Sequence, residues 1–463
     1  MSKIVQIVTP VDGSVFAERA LASDESVKVA VAAARQAQRD WARTPLDERA
    51  RICSAAVDQM LAMRDDIIIE LAWQMGRPVR FGGGELAGFE ERARHMIAIA
   101  GSSLAPIEPE PRPGFRREIR RVPLGVVLVV APWNYPYLTA VNTIVPALMA
   151  GNAVLLKHAS QTLLVGERFQ TAFERAGLPA GLFCNLVLSH DQTARLLAER
   201  AVDQINFTGS VAGGRQIEQA AAGTFCGTGL ELGGKDPAYV RADANLEATI
   251  ESLVDGAFFN SGQSCCGIER IYVEQAIHDD FLEGFVALTN DYVLGDPLKS
   301  ETTLGPMVRT ASAESVRDQI AAAVSAGARA HVDRTRFGQD RPGTAYLAPE
   351  VLTGVDHDMA VMTQETFGPV AGIMAVDGEA EAIRLMNDSI YGLTASIWTS
   401  DSEAAARIGV ELDTGTVFMN RCDYLDPALA WTGVKQTGKG ATLSTVGYET
   451  LTRPKSFHFH QAF

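Results

Sequence analysis

Apolar residues recur at helical spacing through the first hundred positions. Between 23 and 41, Val27, Val31, Ala34 and Trp41 fall on one stripe, and Asp24 and Glu25 stand where the positive end of a helix would favour them. The same period predicts helices over about 55–73 and 86–100. Gly82, Gly83 and Gly84 interrupt it; no strand precedes them, so the run predicts a turn rather than a phosphate loop. Pro106, Pro109, Pro111 and Pro113 then form an extended linker and a boundary.

After the linker the period alternates. Strand-like runs at 125–130, 153–157, 183–188 and 204–207 are separated by helical runs at 139–150, 163–176 and 192–198. Such alternation predicts a parallel sheet with helices on its faces. A second α/β stretch follows Glu231, with helices near 245–259, 277–288 and 313–326. In the tail 455–460, Phe457 and Phe459 alternate with polar residues. That is an amphipathic strand at a chain end, which invites pairing with another subunit.

Composition narrows the class. With 463 residues, 47% apolar and 21% charged, the chain is globular, with room for two or three units of about 150 residues. Its 41 basic and 56 acidic residues give a net charge of −15, which disfavours a nucleic-acid partner. The densest basic cluster, Arg116, Arg117, Arg120 and Arg121, fits a solvated strand edge. The six cysteines include no C-x-x-C pair, as expected of reduced thiols. The start of the chain lacks an apolar signal core, and the apolar run 125–132 is too short to span a bilayer. A soluble cytoplasmic protein with no membrane partner is expected. The eight histidines form no H-E-x-x-H or similar cluster, so no metal is expected.

Five motifs stand in order: Pro132-Trp133-Asn134-Tyr135-Pro136, Phe207-Thr208-Gly209-Ser210 with Gly214, Glu231-Leu232-Gly233-Gly234-Lys235, Gly262-Gln263-Ser264-Cys265, and Glu365-Thr366-Phe367-Gly368-Pro369. Singly, each has an ordinary reading: an inert buried thiol, a surface carboxylate, an Asx turn. Together, in this order and spacing, they resemble the aldehyde dehydrogenase superfamily over essentially the whole chain. Gly433 to Lys439 mimics a P-loop, but Gly440 stands where Ser or Thr would hold Mg²⁺.

The resemblance implies an α/β fold with a Rossmann-like cofactor domain (1–104 and 124–231), an α/β catalytic domain (232–433), a strand-based oligomerisation element (105–123 and 448–463) and a return segment (434–447). It implies NAD(P)⁺-dependent oxidation of an aldehyde to an acid through a cysteine thiohemiacetal and thioester. Cys265 would be the nucleophile, Asn134 and the Cys265 N–H the oxyanion hole, and Glu231 the base that activates the hydrolytic water. Its presence weighs against a CoA-acylating enzyme. Cys266 is expected to pack away from the site. Lys157, Gly209, Ser210, Gly214, Glu365, Phe367 and Trp133 would hold the cofactor. A homodimer or homotetramer is implied.

Three departures bear on specificity. Ser160 stands where relatives commonly carry a glutamate that reads the ribose, so NADP⁺ as well as NAD⁺ should be accepted. The Leu188-Ser189-His190 loop is altered, with His190 read as solvated. A lysine and glutamate that pair near the base in many relatives are replaced by Thr143 and Thr442, which leaves no stranded charge. The implied substrate tunnel is Tyr135, Thr139, Asn142, Ser264, Asp423, Leu425 and Trp431. Thr139 and Asn142 make it polar, favouring a small or polar aldehyde. Arg421 would suit a semialdehyde carboxylate, and Asp423 with Trp431 an aminoaldehyde. A catalytically retired binding protein is the contrasting class, opposed by the intact Asn134, Glu231, Cys265 and Glu365.

Overall fold

The first sheet has six strands, in the order Gly438–Lys439, Gly227–Glu231, Gln204–Thr208, Val126–Ala131, Ala153–His158 and Phe183–Asn185. All pair in parallel except Gly438–Lys439. Val126–Ala131 is buried at every position, as befits a strand covered on both faces. The chain runs outward from that strand on one side, then returns to lay Gln204–Thr208 on the other. At such a reversal the carboxyl ends of neighbouring strands diverge and leave a crevice for ligands. This computed structural model describes residues 3–461; positions 1–2 and 462–463, at the extremes of the expected cofactor domain and oligomerisation element, lie outside them.

A second sheet of seven strands runs Arg329–Ala330, Glu350–Thr353, Val370–Val376, Ile268–Glu274, Asp236–Val240, Thr394–Trp398 and Thr416–Met419. Its only antiparallel pair is the first. The small third sheet pairs Phe115–Pro123 antiparallel with Thr452–His460, in register from Thr452 opposite Pro123 to His460 opposite Phe115. The amphipathic tail thus finds its partner strand in its own chain. Arg116 and Arg120 both pair with Glu118 on that strand, and Arg120 also lies over the Phe457 ring. Among the described residues no helix is long and apolar enough to cross a membrane, and no group of three or more metal-capable side chains forms.

Three expectations are corrected. Gly82, Gly83 and Gly84 do not form a turn; they lie inside the helix Val79–Ser103. A Cβ on Gly82 would sit 2.8 Å from Ile68 Cγ2, so this glycine lets two helices touch closely. The single helix expected over 55–73 is two, Leu46–Leu61 and Arg64–Met75, the second starting with Asp65 and Asp66 in its first turn. The strand expected over 183–188 ends at Asn185, and Ser189 caps the helix His190–Ala198 through a capping box with Gln192.

Candidate active site

A cavity of about 590 Å³ opens where the first sheet reverses. Trp133 and Asn134 enter it from the end of Val126–Ala131, Lys157 from the adjoining strand, and Gly209 and Ser210 from the end of Gln204–Thr208. Cys265, Glu365 and Phe367 reach it from the second sheet's side, and Glu231 from the end of the first sheet's strand Gly227–Glu231. Residues more than two hundred positions apart therefore line one space.

The turn before Cys265 is tightly held. Asn260 and Ser261 adopt left-handed φ of 53° and 57°, a conformation that costs a non-glycine residue of order 1 kcal/mol and needs support. Ser261 Oγ donates to Gly305 O (2.7 Å), Gln263 Nε2 to Asn260 O (3.0 Å), and Val308 N to Gln263 Oε1 (2.8 Å). Asn134 Nδ2 donates to Gln263 O at 3.2 Å, which sets its amide against the cysteine loop. Asn134 O in turn accepts from Arg77 Nη2 (2.6 Å) and Asn260 Nδ2 (3.2 Å). Arg77 is paired with buried Glu85, whose Oε1 accepts from Tyr137 N and Leu138 N (2.9 and 3.1 Å) at the start of the helix Pro136–Met149.

The Glu231 to Lys235 segment owes its glycines to close approach. A Cβ on Gly234 would lie 2.4 Å from Cys265 O, and one on Gly233 would lie 2.4 Å from both Glu365 carboxylate oxygens. Glu365 Oε1 accepts from Gly234 N at 3.0 Å, and burial, then the charge of Glu269, push its pKa up to about 7. Glu231 is held by two hydroxyls, Thr442 Oγ1 on Oε1 (2.6 Å) and Thr208 Oγ1 on Oε2 (2.9 Å). Burial raises its pKa, and these hydrogen bonds oppose the rise. A second cavity of about 260 Å³ adjoins Glu231 and is bordered by Thr143, Asn206, Thr208 and Thr442. Thr143 and Thr442 thus border one space, Thr143 Oγ1 accepting from Asn206 Nδ2 at 3.1 Å.

Cys265 borders the main cavity, whereas Cys266 is 2% exposed and donates to Asp423 Oδ1 at 2.9 Å. The contact with Cys265, then burial, hold the Cys266 thiol well above the usual range.

Residues 1–457 match the sequence model of the aldehyde dehydrogenase family. The chain belongs to that family. It is 33% identical to vanillin dehydrogenase of Corynebacterium glutamicum, over 94% of this chain and 89% of the relative. It is also 33% identical to succinate-semialdehyde dehydrogenase (NADP+) 1 of Mycobacterium tuberculosis, over 98% of this chain and 99% of the relative. The crystal structure of an NAD-dependent aldehyde dehydrogenase from Sinorhizobium meliloti superposes with a TM-score of 0.95 at 30% identity, covering 100% of this chain and 92% of that one. This chain is an NAD(P)-dependent aldehyde dehydrogenase.

At the far end of the dehydrogenase's main cavity three expectations change. Gly213 faces the cavity, while Gly214 is buried beneath it, where a Cβ would meet Leu232 Cδ2 at 2.6 Å. Ser160 is exposed on the turn Ser160–Thr162 and does not line the cavity, although its neighbour Ala159 does. His190, expected in a solvated loop, opens the helix His190–Ala198 and borders the cavity.

Of the seven tunnel residues only Thr139 borders the main cavity. Asn142 is buried and Tyr135 half-buried, and Asp423 accepts from Ser264 Oγ (3.0 Å) as well as from Cys266. Leu425 packs against the first core, and Trp431 is buried within it, paired across strands with Thr442. Arg421 is exposed with its guanidinium 3.5 Å from the centre of the Tyr424 ring. It lies outside the main cavity, and Asp423 is already hydrogen-bonded within the protein.

The sequence left Arg77, Glu85, Arg92 and Glu269 unassigned. Their signal was charge on a buried stripe: Glu85 and Arg92 share a helix face with Phe89 and Met96. Lys235 and Glu269 form a buried ion pair; Glu269 also accepts from Thr366 N and Phe367 N at 2.9 Å each, and so fixes the loop bearing Glu365 and Phe367. Lys235→Met should strand that carboxylate and lower stability by ~3–5 kcal/mol in urea unfolding. Lys235→Met with Glu269→Met should cost less than the single change; a double variant no better than the single would contradict the pairing.

Proposed function

We propose that this dehydrogenase oxidises a small or polar aldehyde to its carboxylate, with Cys265 as nucleophile, Asn134 as oxyanion donor and Glu231 as hydrolytic base. The convergence of these three side chains on one cavity carries the reading. The Cys265 thiolate adds to the carbonyl, and the Asn134 amide with the Cys265 N–H takes up the alkoxide charge. NAD(P)⁺, when bound, supplies the hydride acceptor. Glu231 then removes a proton from a water as that water attacks the thioester carbonyl, and the acid leaves as Cys265 is freed.

The cavity suits a dinucleotide. Ser210 caps the helix Val211–Ala221, whose N-terminal end borders the cavity and favours phosphate. Lys157 would reach the adenosine side, and Glu365, Phe367 and Trp133 the nicotinamide side. The Phe367 and Trp133 rings meet edge to face at 5.6 Å. The carboxylates bordering the cavity, Glu231 and Glu365, both stand on the Cys265 side, so none opposes a 2′-phosphate near Lys157, Ala159 and His190. We read the cofactor choice as NAD⁺ or NADP⁺, with Ser160 permitting the latter. The sheet of Phe115–Pro123 and Thr452–His460, carrying a half-exposed Phe459, is our candidate for homo-oligomer contacts.

An aldehyde panel assayed with both cofactors tests the reaction; reduced cofactor without acid product would overturn it. Ser160→Glu should raise KM for NADP⁺ by about tenfold or more while moving that for NAD⁺ less than about threefold. An unchanged ratio would place 2′-phosphate recognition elsewhere, with His190 the nearest alternative.

A further inference from the structure

Cys265 sits in a turn whose two flanking side chains share one partner. Gly267 N donates to Ser264 O at 3.2 Å and closes the turn. Ser264 Oγ and Cys266 Sγ lie 3.6 Å apart, and Cys265 between them borders the main cavity. Both flanking side chains donate to the same oxygen, Asp423 Oδ1, Ser264 Oγ at 3.0 Å and Cys266 Sγ at 2.9 Å. Ser264 and Cys266 are both buried, so without this acceptor a hydroxyl and a thiol would stand unsatisfied on either side of the nucleophile.

Asp423 is itself held from both sides. Three residues earlier, Asn420 Nδ2 donates to Thr399 O (2.8 Å) and Asn420 Oδ1 accepts from Thr399 N (3.0 Å), just past the strand Thr394–Trp398. One residue later, Tyr424 Oη donates to Glu91 Oε1 at 2.7 Å, on the helix Val79–Ser103. Cys422 packs on the helix Leu246–Phe258, where a Cβ on Gly256 would lie 2.5 Å from its sulfur. Asn420 and Asp423 both take left-handed φ, 52° and 48°, which side-chain-bearing residues keep only where their surroundings enforce it. The carboxylate is therefore a fixed point, and the hydrogen bonds it accepts come from the two neighbours of Cys265.

We propose that Asp423 is a positioning residue for the nucleophile: by holding Ser264 and Cys266 it fixes where the Cys265 sulfur stands relative to the Asn134 amide. The inference rests on the reading of Cys265 as nucleophile. Asn134 Nδ2 holds Gln263 O at 3.2 Å, so the turn is pinned at residues 263, 264 and 266, and only the side chain of 265 is left to face the cavity. Without Asp423 the turn keeps its backbone closure but not one sulfur position, and a misplacement of about 1 Å costs a reacting pair on the order of 100-fold.

The test acylates Cys265 with 4-nitrophenyl acetate, which needs neither aldehyde nor cofactor. The thiolate sulfur bonds to the acetyl carbon and 4-nitrophenolate leaves; its release in stopped flow gives a limiting acylation rate constant and a half-saturating ester concentration. Asp423→Ala should lower the rate constant by roughly 10- to 100-fold and move the half-saturating concentration by less than about threefold. Asp423→Asn, whose amide oxygen can still accept from both neighbours, should recover most of that loss. Ser264→Ala with Cys266→Ala should reproduce Asp423→Ala, whereas each alone, with one tether left, should lose less than about threefold. That set carries the test should Asp423→Ala fail to fold. An unchanged rate constant in Asp423→Ala would overturn the proposal. So would an effect confined to the half-saturating concentration, which would make Asp423 a wall of the substrate tunnel, or an Asp423→Asn as slow as Asp423→Ala, which would assign the effect to charge. Peptide mass spectrometry of the wild type should find the acetyl group on Cys265; finding it on another residue would instead count against the nucleophile reading itself.

Discussion

Cys265→Ser should lose more than about a thousandfold in turnover, because a serine alkoxide is not available at neutral pH without a base to make it. Cys266→Ala should keep most of its activity. The two thiols are adjacent in sequence but differ in setting: Cys265 borders the cavity, and Cys266 is sealed beneath it as a donor to Asp423. The Cys265 contact and burial hold the Cys266 thiol well above its usual range, which disfavours the thiolate that a nucleophile needs. Reduced-cofactor formation in stopped flow checks both variants. Reversed phenotypes would show that the adjacent thiol is the reacting one.

The second large effect falls on Glu231. Glu231→Gln should slow steady-state turnover by about 10²- to 10⁴-fold while leaving one rapid turnover of hydride transfer, since only thioester hydrolysis needs the base. A base acts when ionised, so turnover limited by this step should fall as pH drops through the raised pKa of Glu231. The acid limb should therefore lie above that of an ordinary glutamate at about 4.3. The Thr442 hydroxyl stabilises the ionised form at 2.6 Å, and Thr442→Val should move the limb to higher pH. A pH–rate profile of wild type and Thr442→Val reads the shift; a shift to lower pH would mean that the limb belongs to another group.

What could be read from the sequence was what stands together in it. The period changes located the first parallel sheet, and the motif order brought Asn134, Glu231, Cys265 and Glu365 to one cavity. Residues whose partners are remote in the chain were out of reach. Arg77 anchors Asn134 and Arg92 adjoins Asn142 across the packed helices Val79–Ser103 and Pro136–Met149. Reading Gly82–Gly84 as a turn also removed the first turn of the helix on which Glu85 and Arg92 share a buried stripe. A glycine run reads alike whether it bends a chain or lets two helices approach; only the facing Ile68 distinguishes the cases. Gly214 was misassigned for a similar reason, since a one-residue change of helix phase decides whether Gly213 or Gly214 faces the cavity. Arg421 was read as a cation for a semialdehyde carboxylate, and its side chain turns outward onto Tyr424.

Peptide mass spectrometry of Glu231→Gln, quenched after mixing with NADP⁺ and whichever aldehyde the wild type oxidises fastest, tests the central claim most directly. The account predicts one equivalent of reduced cofactor per active site, together with an acyl group on the peptide sulfur of Cys265 that persists in Glu231→Gln and is fleeting in the wild type. An acyl group on Cys266, or a reduced-cofactor burst with no acyl-enzyme at all, would contradict it.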